Sequence, residues 1–400
     1  MELYERKDVN IKGYYLMRKI CVVTTVENTM NWFIIPAMRE MKKHGYDITL
    51  VCNMSDGFID QYSNEFRCYN VKMKSGISIK DLFTIPVKLY KFFKKEKFDY
   101  VQYATSNAAL YSSVASFFAK VPIRLYCQWG ILYADQHGFR KHIFKAIVKQ
   151  TCRLSTNISC ASYKNLEISV SDGLYPREKA TVVGDGGTIG IDLTQFDISK
   201  RDEYKNEVLN EHPQLKGKFV YAYLGRIVKE KGINELLHAY YRVKKDNMAI
   251  LFIGDNSGIE KVVESSLYNK VKHDPSVIFH GYTNNVAKYL SAVDVLVHPT
   301  YKEGFSMAIQ QAMAMGCGII TTDIPGPSEV IIENKCGLLV PAEEYVRLSE
   351  AMDCLFSDRE KLRNFVDYGV RRVHERFSRQ RMLKCTIEDR EKMFKDRGFL

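Results

Sequence analysis

The sequence predicts an α/β protein built from two doubly wound parallel-sheet domains, and three observations carry that reading. Short β-branched runs alternate with longer amphipathic stretches along most of the chain, the pattern of strands joined by crossover helices. The alternation breaks once, in the glycine-rich and charged segment GDGGTIGIDLTQFD (from Gly184) and the KRDEYKNE that follows, and then restarts. The length of 400 residues, at roughly 150 per domain, leaves room for two such cores.

The first half reads as strands KICVVTT (from Lys19), DITLVC (from Asp47), FDYVQYA (from Phe98), IRLYCQ (from Ile123), NISC (from Asn157) and ATVVG (from Ala180). Helical patterns near 31–44, 81–97, 107–119, 138–154 and 162–170 separate them. In the second half the strands are KFVYAYLG (from Lys218), MAILFIG (from Met248), VIFHG (from Val277), DVLVHP (from Asp294), GIITTD (from Gly318) and GLLVP (from Gly337). Helices are expected near 233–244, 258–271, 285–292, 305–315 and 343–356, and after 357 the sequence is helical and charged. Two such domains facing one another form a cleft, the expected place for a ligand.

Composition excludes several classes. With 46% hydrophobic and 26% charged residues the chain is an ordinary globular protein, not a disordered or fibrous one. No apolar run approaches the roughly 18 residues of a membrane-spanning helix, and no fixed-period repeat indicates a solenoid. The start, MELYERKDVNIKGYYLMRK, lacks the apolar core of a secretory signal. The ten cysteines are scattered without CxxC or Cys/His spacing, as expected of reduced, mostly buried thiols in a cytoplasmic protein. The net charge of +11 is uneven: residues 1–195 carry 27 Lys and Arg against 18 Asp and Glu. Such a field suits nucleic acid, an anionic membrane or phosphorylated substrates, and the absence of a nucleic-acid motif makes the first the poorer partner.

Two segments carry chemistry. In YLGRIVKEKGINELLHAY, from Tyr223, a strand ends at Gly225, Arg226 and Lys231 follow in a short loop, and Gly232 precedes a helix. Ligands of doubly wound sheets bind beyond the carboxyl ends of strands, where an Arg fork and a mobile ammonium suit a diphosphate. Taken alone, the segment reads equally well as a solvated loop with two ordinary cations. In HPTYKEGFSMAIQQAMAMG, from His298, Glu303 sits in the turn after a strand and Gly304, Phe305 and Ser306 open a helix. Backbone N–H groups at that start suit phosphate or sugar oxygens, Glu303 suits hydroxyls, and Gln311 lies about two turns further along the same face.

Together these segments resemble the donor-binding half of the retaining glycosyltransferases of family 4, whose fold is GT-B. The family's G-R-x-x-x-x-K-G is present as Gly225, Arg226, Lys231 and Gly232. Its pair of glutamates separated by seven residues appears as Glu303 and Gln311. By resemblance, Arg226 and Lys231 would hold the nucleotide diphosphate and stabilise its charge during transfer. Glu303 would contact donor-sugar hydroxyls, and Gly304 with the amides of Phe305 and Ser306 would cradle sugar and phosphate. Gln311 would meet the ribose in place of the second glutamate. The flanking GYTNNVAKYLSAVDVLVHPT, TTDIPGPSEVI and GGTIGIDLTQFD also look like the family, and its terminal helix crosses back to the first domain. The implied domains are therefore an acceptor-binding domain over 1–195 with the return of 376–400, and a donor-binding domain over 196–375.

The first half departs from that pattern. TTVENTMNWFIIPAM has no glycine-rich loop, and where members commonly show His-Gly this chain has Trp129-Gly130, leaving His137 as the candidate substitute. The resemblance implies a nucleotide-sugar donor, UDP being the commonest, and a lipid-diphosphate-linked or surface-polysaccharide glycan as acceptor. No Asp-x-Asp supplies ligands for a metal-bridged diphosphate, so no metal or other cofactor is expected. KLYKFFKKEKF (from Lys88) and FRKHIFKAIVKQTCR (from Phe139) read either as amphipathic surfaces for anionic lipid at the inner membrane face or as ordinary helices packed on a sheet. The rival functions are a sugar-nucleotide epimerase and a non-catalytic peripheral membrane or partner-binding protein that has kept the fold.

Overall fold

The computed structural model describes residues 18–399 apart from 75, 77 and 135, so most of the charged N-terminal stretch lies outside it. The chain divides into two units at Ile189/Gly190 and again at Gln380/Arg381, the last helix returning to the first unit.

The first unit is a seven-stranded parallel sheet. Its strands are β1 (Lys19–Val26), β2 (Asp47–Asn53), β3 (Arg67–Asn70), β4 (Tyr100–Ala104), β5 (Ile123–Gln128), β6 (Asn157–Cys160) and β7 (Ala180–Val182), in the order β3-β2-β1-β4-β5-β6-β7. Strands buried on both faces read as continuous apolar runs, as in the IRLYCQ of β5. One core packs Ile85, Leu89 and Phe93 of helix Ile79–Glu96 against Val101 and Tyr103. The opposite core holds Ile20, Val22, Leu50 and Tyr100 under Met30, Met38 and the Ile387, Met393 and Phe394 of the returning helix Arg379–Asp396.

Three local expectations need correction. The helix expected near 31–44 is two, Glu27–Phe33 and Ile35–Lys43, because Pro36 cannot continue a helix and instead sits in the first turn of the second. The strand β3 and the helix Asp56–Tyr62 were not expected; both are short, and β3 is a half-exposed edge. The polar KRDEYKNE is not irregular but part of helix Arg201–Glu211, which buries only Val208 and so shows no apolar stripe.

The second unit is a six-stranded parallel sheet of β8 (Phe219–Leu224), β9 (Met248–Ile253), β10 (Val277–Gly281), β11 (Val295–His298), β12 (Gly318–Thr322) and β13 (Leu338–Val340). Its order, β10-β9-β8-β11-β12-β13, runs outward one way from β8 and the other way from β11. The chain after β8 and the chain after β11 therefore leave the sheet side by side and turn apart, opening a crevice at their carboxyl ends. Helix Ile233–Val243 covers one face with Ile233, Leu236, Leu237 and Tyr240, an apolar stripe at helical spacing.

All ten cysteines are free, seven of them buried. Among the described residues no helix is long and apolar enough to cross a membrane.

Candidate functional site

The candidate site lies where the sheet of the second unit reverses its order. Gly225 directly follows β8 with φ +146°, and the Tyr223 hydroxyl donates to the Arg226 carbonyl at 2.7 Å, tying down the loop. The Arg226 side chain is exposed and makes no hydrogen bond or ion pair among the described residues. The loop closes through a single 3-10 turn, Lys229–Lys231, into Gly232. Gly232 has φ +69°, and a Cβ there would stand 2.1 Å from the Pro299 carbonyl oxygen. Only glycine allows this conformation and this approach together, which brings the end of one loop against the start of the other.

That approach unites two residues 72 positions apart. Lys231 Nζ lies 2.7 Å from Glu303 Oε2. The loop holding Glu303 is pinned by the Tyr301 amide, which donates to the Glu230 carbonyl at 2.9 Å, and by the Thr300 hydroxyl, which donates to the Lys302 carbonyl at 2.9 Å. From behind, Gly326 (φ +93°) packs so close that a Cβ would stand 2.4 Å from the Gly304 carbonyl oxygen.

Glu303 keeps its charge against its surroundings. Burial on its own pushes its carboxyl up, but the hydrogen bond from His298 and the charge of Lys231 outweigh burial and hold it at about 2. The His298 imidazole is 2% exposed, with Nε2 3.5 Å from Glu303 Oε2 and 3.3 Å from Ser306 Oγ. Burial lowers its pKa below 6.5, opposed in part by Glu303. Tyr223, fully buried, lies nearly parallel to that ring, with centroids 6.4 Å apart.

Helix Met307–Ala314 starts one or two residues later than the sequence suggests, with Ser306 as its N-cap, accepting from the Ile309 amide at 3.4 Å. The amides of Phe305 and Ser306 donate no hydrogen bond among the described residues, leaving orphan donors at the helix start. Phe305 itself is buried edge-on against Phe377. Gln311 is half-buried one helical step past Gln310, whose amide is spent on the Ser306 carbonyl.

The structure thus brings together Gly225, Arg226, Lys231, Glu303, Gly304, Phe305 and Ser306 around the reversal point, with Gln311 on the helix that follows. His298 was missed. Its signal was a polar residue ending an otherwise apolar strand, VLVH, five positions before Glu303. In the first unit, Trp129 is half-buried against Phe33 at 5.5 Å, while His137 is exposed and precedes helix Gly138–Leu154 without capping it through its side chain. Among the described residues no group of three or more His, Cys, Asp or Glu gathers at metal-binding distance.

Comparison with known proteins bears on this arrangement. The family model of glycosyl transferases group 1 matches residues 205–372, and the glycosyl transferase 4-like model matches residues 19–162. The chain is a glycosyltransferase, its first unit matched by the 4-like model and its second by the group 1 model. This glycosyltransferase is 29% identical over 356 residues to the capsular polysaccharide biosynthesis glycosyltransferase CapM of Staphylococcus aureus, covering 86% of this chain and 91% of that one. It is 24% identical over 304 residues to an Escherichia coli UDP-Gal:alpha-D-GlcNAc-diphosphoundecaprenol alpha-1,3-galactosyltransferase, covering 74% and 76%. Among solved structures, Anabaena Alr3699/HepE in complex with UDP and glucose superposes with a TM-score of 0.77 at 16% identity, covering 94% of this chain and 100% of that one. A glycosyltransferase from Rickettsia africae gives 0.76 at 17%, covering 95% and 100%. These neighbours share the GT-B fold.

Proposed function

We propose that this glycosyltransferase moves a hexosyl or N-acetylhexosaminyl unit from a UDP-sugar, with retention of anomeric configuration, to a lipid-diphosphate-linked or surface-polysaccharide glycan. The observation that carries it is the contact of Lys231 with Glu303 across the reversal point of the sheet. It sets an ammonium suited to diphosphate beside an ionised carboxylate suited to sugar hydroxyls. Arg226, exposed on the same loop, adds a fork for the phosphates, and the free amides of Phe305 and Ser306 add donors. The acceptor class is supported by the relatives, one named for capsular polysaccharide biosynthesis and one for a diphosphoundecaprenol-linked sugar.

In this reading the protein orients the substrates and stabilises the diphosphate as the glycosidic bond breaks, while a diphosphate oxygen takes the acceptor's proton on the same face of the sugar. Arg226 and Lys231 meet the charge that a metal would otherwise neutralise, so turnover is expected to survive chelation. Gln311 offers both a donor and an acceptor to the ribose.

A peripheral membrane position is part of the proposal. Ile79, Leu82, Phe83 and Val87 form one exposed stripe on helix Ile79–Glu96, and Phe139 and Ile143 are exposed at the start of helix Gly138–Leu154. Exposed Lys80, Lys88, Lys91, Arg140 and Lys141 accompany them, the combination that suits an anionic bilayer surface.

The test is release of nucleoside diphosphate from a panel of UDP- and GDP-sugars, with and without a lipid-linked acceptor extract. Turnover of one donor, stimulated by acceptor, unaffected by EDTA and lost in Arg226→Ala and Glu303→Ala, is expected, with NMR of the product reporting the retained anomer. No turnover and no donor binding by folded protein would move a non-catalytic role ahead. For the membrane, wild-type protein is expected to co-sediment with phosphatidylglycerol vesicles and Phe83→Asp/Phe139→Asp to remain in solution; equal sedimentation would remove that element.

A further inference from the structure

Glu303 does not stand on its loop unaided. It is held from below by a buried imidazole that the family signature does not include. His298 closes β11, and its carbonyl accepts from the Thr321 hydroxyl of β12 at 2.8 Å. Its ring is walled by Tyr223 of β8. The residue is therefore set among three adjacent strands and not on the loop above it. From that position Nε2 faces two atoms on different parts of the site, Glu303 Oε2 at 3.5 Å and Ser306 Oγ at 3.3 Å.

The protonation state follows from the partners. Glu303, paired with Lys231 at 2.7 Å, is a carboxylate that can only accept, so a hydrogen on the imidazole nitrogen 3.5 Å from it avoids setting lone pair against lone pair. That makes His298 the Nε2–H tautomer and leaves Nδ1 as a bare lone pair. Nδ1 is buried and has no hydrogen-bond partner among the described residues, an arrangement a neutral ring tolerates far better than a second buried N–H would be tolerated. The Ser306 hydroxyl in turn caps the helix Met307–Ala314. A single N–H thus links the sugar-facing carboxylate to the start of the helix whose free amides flank it.

We infer that His298 is a positioning residue for the donor sugar. Its Nε2–H aims the Glu303 carboxylate and couples that aim to the helix start, so that the sugar subsite is set before donor arrives. Without it, Oε2 of Glu303 keeps only the Lys231 ammonium and Oε1 only the adjoining Gly304 amide, which donates at 3.3 Å from the same loop; an ammonium fixes distance better than direction, and an amide of the loop itself cannot tie the carboxylate to the sheet below. The inference rests on the assignment of Glu303 to the sugar and Lys231 to the diphosphate.

The test compares His298→Leu, His298→Gln and Glu303→Ala with wild type by calorimetric binding of UDP and UDP-glucose, and of GDP and GDP-mannose, alongside thermal melting. The readout is the ratio of nucleotide-sugar to nucleoside-diphosphate affinity. A hydrogen bond to a charged group is worth enough to change that ratio about tenfold. His298→Leu is expected to lower it about tenfold with diphosphate binding retained, and His298→Gln, which restores an N–H, to recover most of the loss at a similar melting temperature. An unchanged ratio in His298→Leu together with a collapsed ratio in Glu303→Ala would overturn the role of His298 and leave that of Glu303. Unchanged ratios in both variants would overturn the Glu303 assignment and the inference with it. Parallel weakening of all four ligands with a falling melting temperature in both His298 variants would show a structural role and equally overturn it.

Discussion

Replacing Lys231 by methionine, of similar length, removes the ammonium 2.7 Å from Glu303 and leaves the carboxylate on a site only a quarter exposed. A carboxyl held at about 2 against an ordinary 4.5 contributes about 3 kcal/mol of stability at neutral pH. His298 supplies part of that, and the partial exposure discounts the remainder, so the loss expected from Lys231→Met is about 2 kcal/mol at pH 7. The sign with pH follows from the lowered value. The contribution is complete above 4.5 and fades as pH falls towards 2, so the gap between wild type and variant should shrink to about half near pH 3. Urea unfolding at both pH values measures it. Circular dichroism must carry the readout, because Trp32 and Trp129 both lie in the first unit and their emission reports there. A gap below about 0.5 kcal/mol at pH 7, or one that does not narrow at pH 3, would refute the claim that Lys231 shares with His298 in keeping Glu303 ionised.

Three further outcomes follow from the same geometry. Gly232→Ala combines a positive φ with a Cβ 2.1 Å from the Pro299 carbonyl oxygen, so a loss of about 2 kcal/mol or more and a fall in donor turnover are expected; a melting temperature and rate like wild type would contradict the close approach. Gln311→Glu should bind UDP about three- to tenfold more tightly if the residue meets the ribose, since a carboxylate accepts from two hydroxyls where an amide offers one acceptor; calorimetry showing no change would remove Gln311 from the site. His280 is lowered by burial and then by His212, whose Nε2 lies 3.3 Å from its Nδ1, while Glu211 opposes the shift and Lys288 adds to it. The fold therefore favours the neutral ring, and its contribution is complete above 6.5 and declines as pH falls below that. His280→Gln should flatten the stability profile between pH 7 and 5.5, and an unaltered slope would show the pair to be silent.

Most strands were legible because each is a short run buried on both faces, and β-branched content with that length admits few other readings. What escaped notice lacked such a signature. β3 is half-exposed and only four residues long, and helix Arg201–Glu211 presents a single buried side chain and so has no stripe to detect. Lys231, Glu303 and their glycines were recognisable as a spaced motif. His298 was not, because a histidine ending VLVH has the same sequence appearance whether it faces a core or a carboxylate.

By itself the sequence determined the class of fold, the positions of the loops after β8 and β11, and the chemical types they carry. These follow from backbone sterics and burial over a few neighbouring residues, which leave a periodic trace in the chain. Only the tertiary structure decided that Lys231 and Glu303 touch, that Gly232 must yield to Pro299, and that His298 lies beneath them both. Those contacts depend on β8 and β11 being neighbours where the sheet reverses, and strand order is set by the packing of the whole sheet, which no local run of residues records.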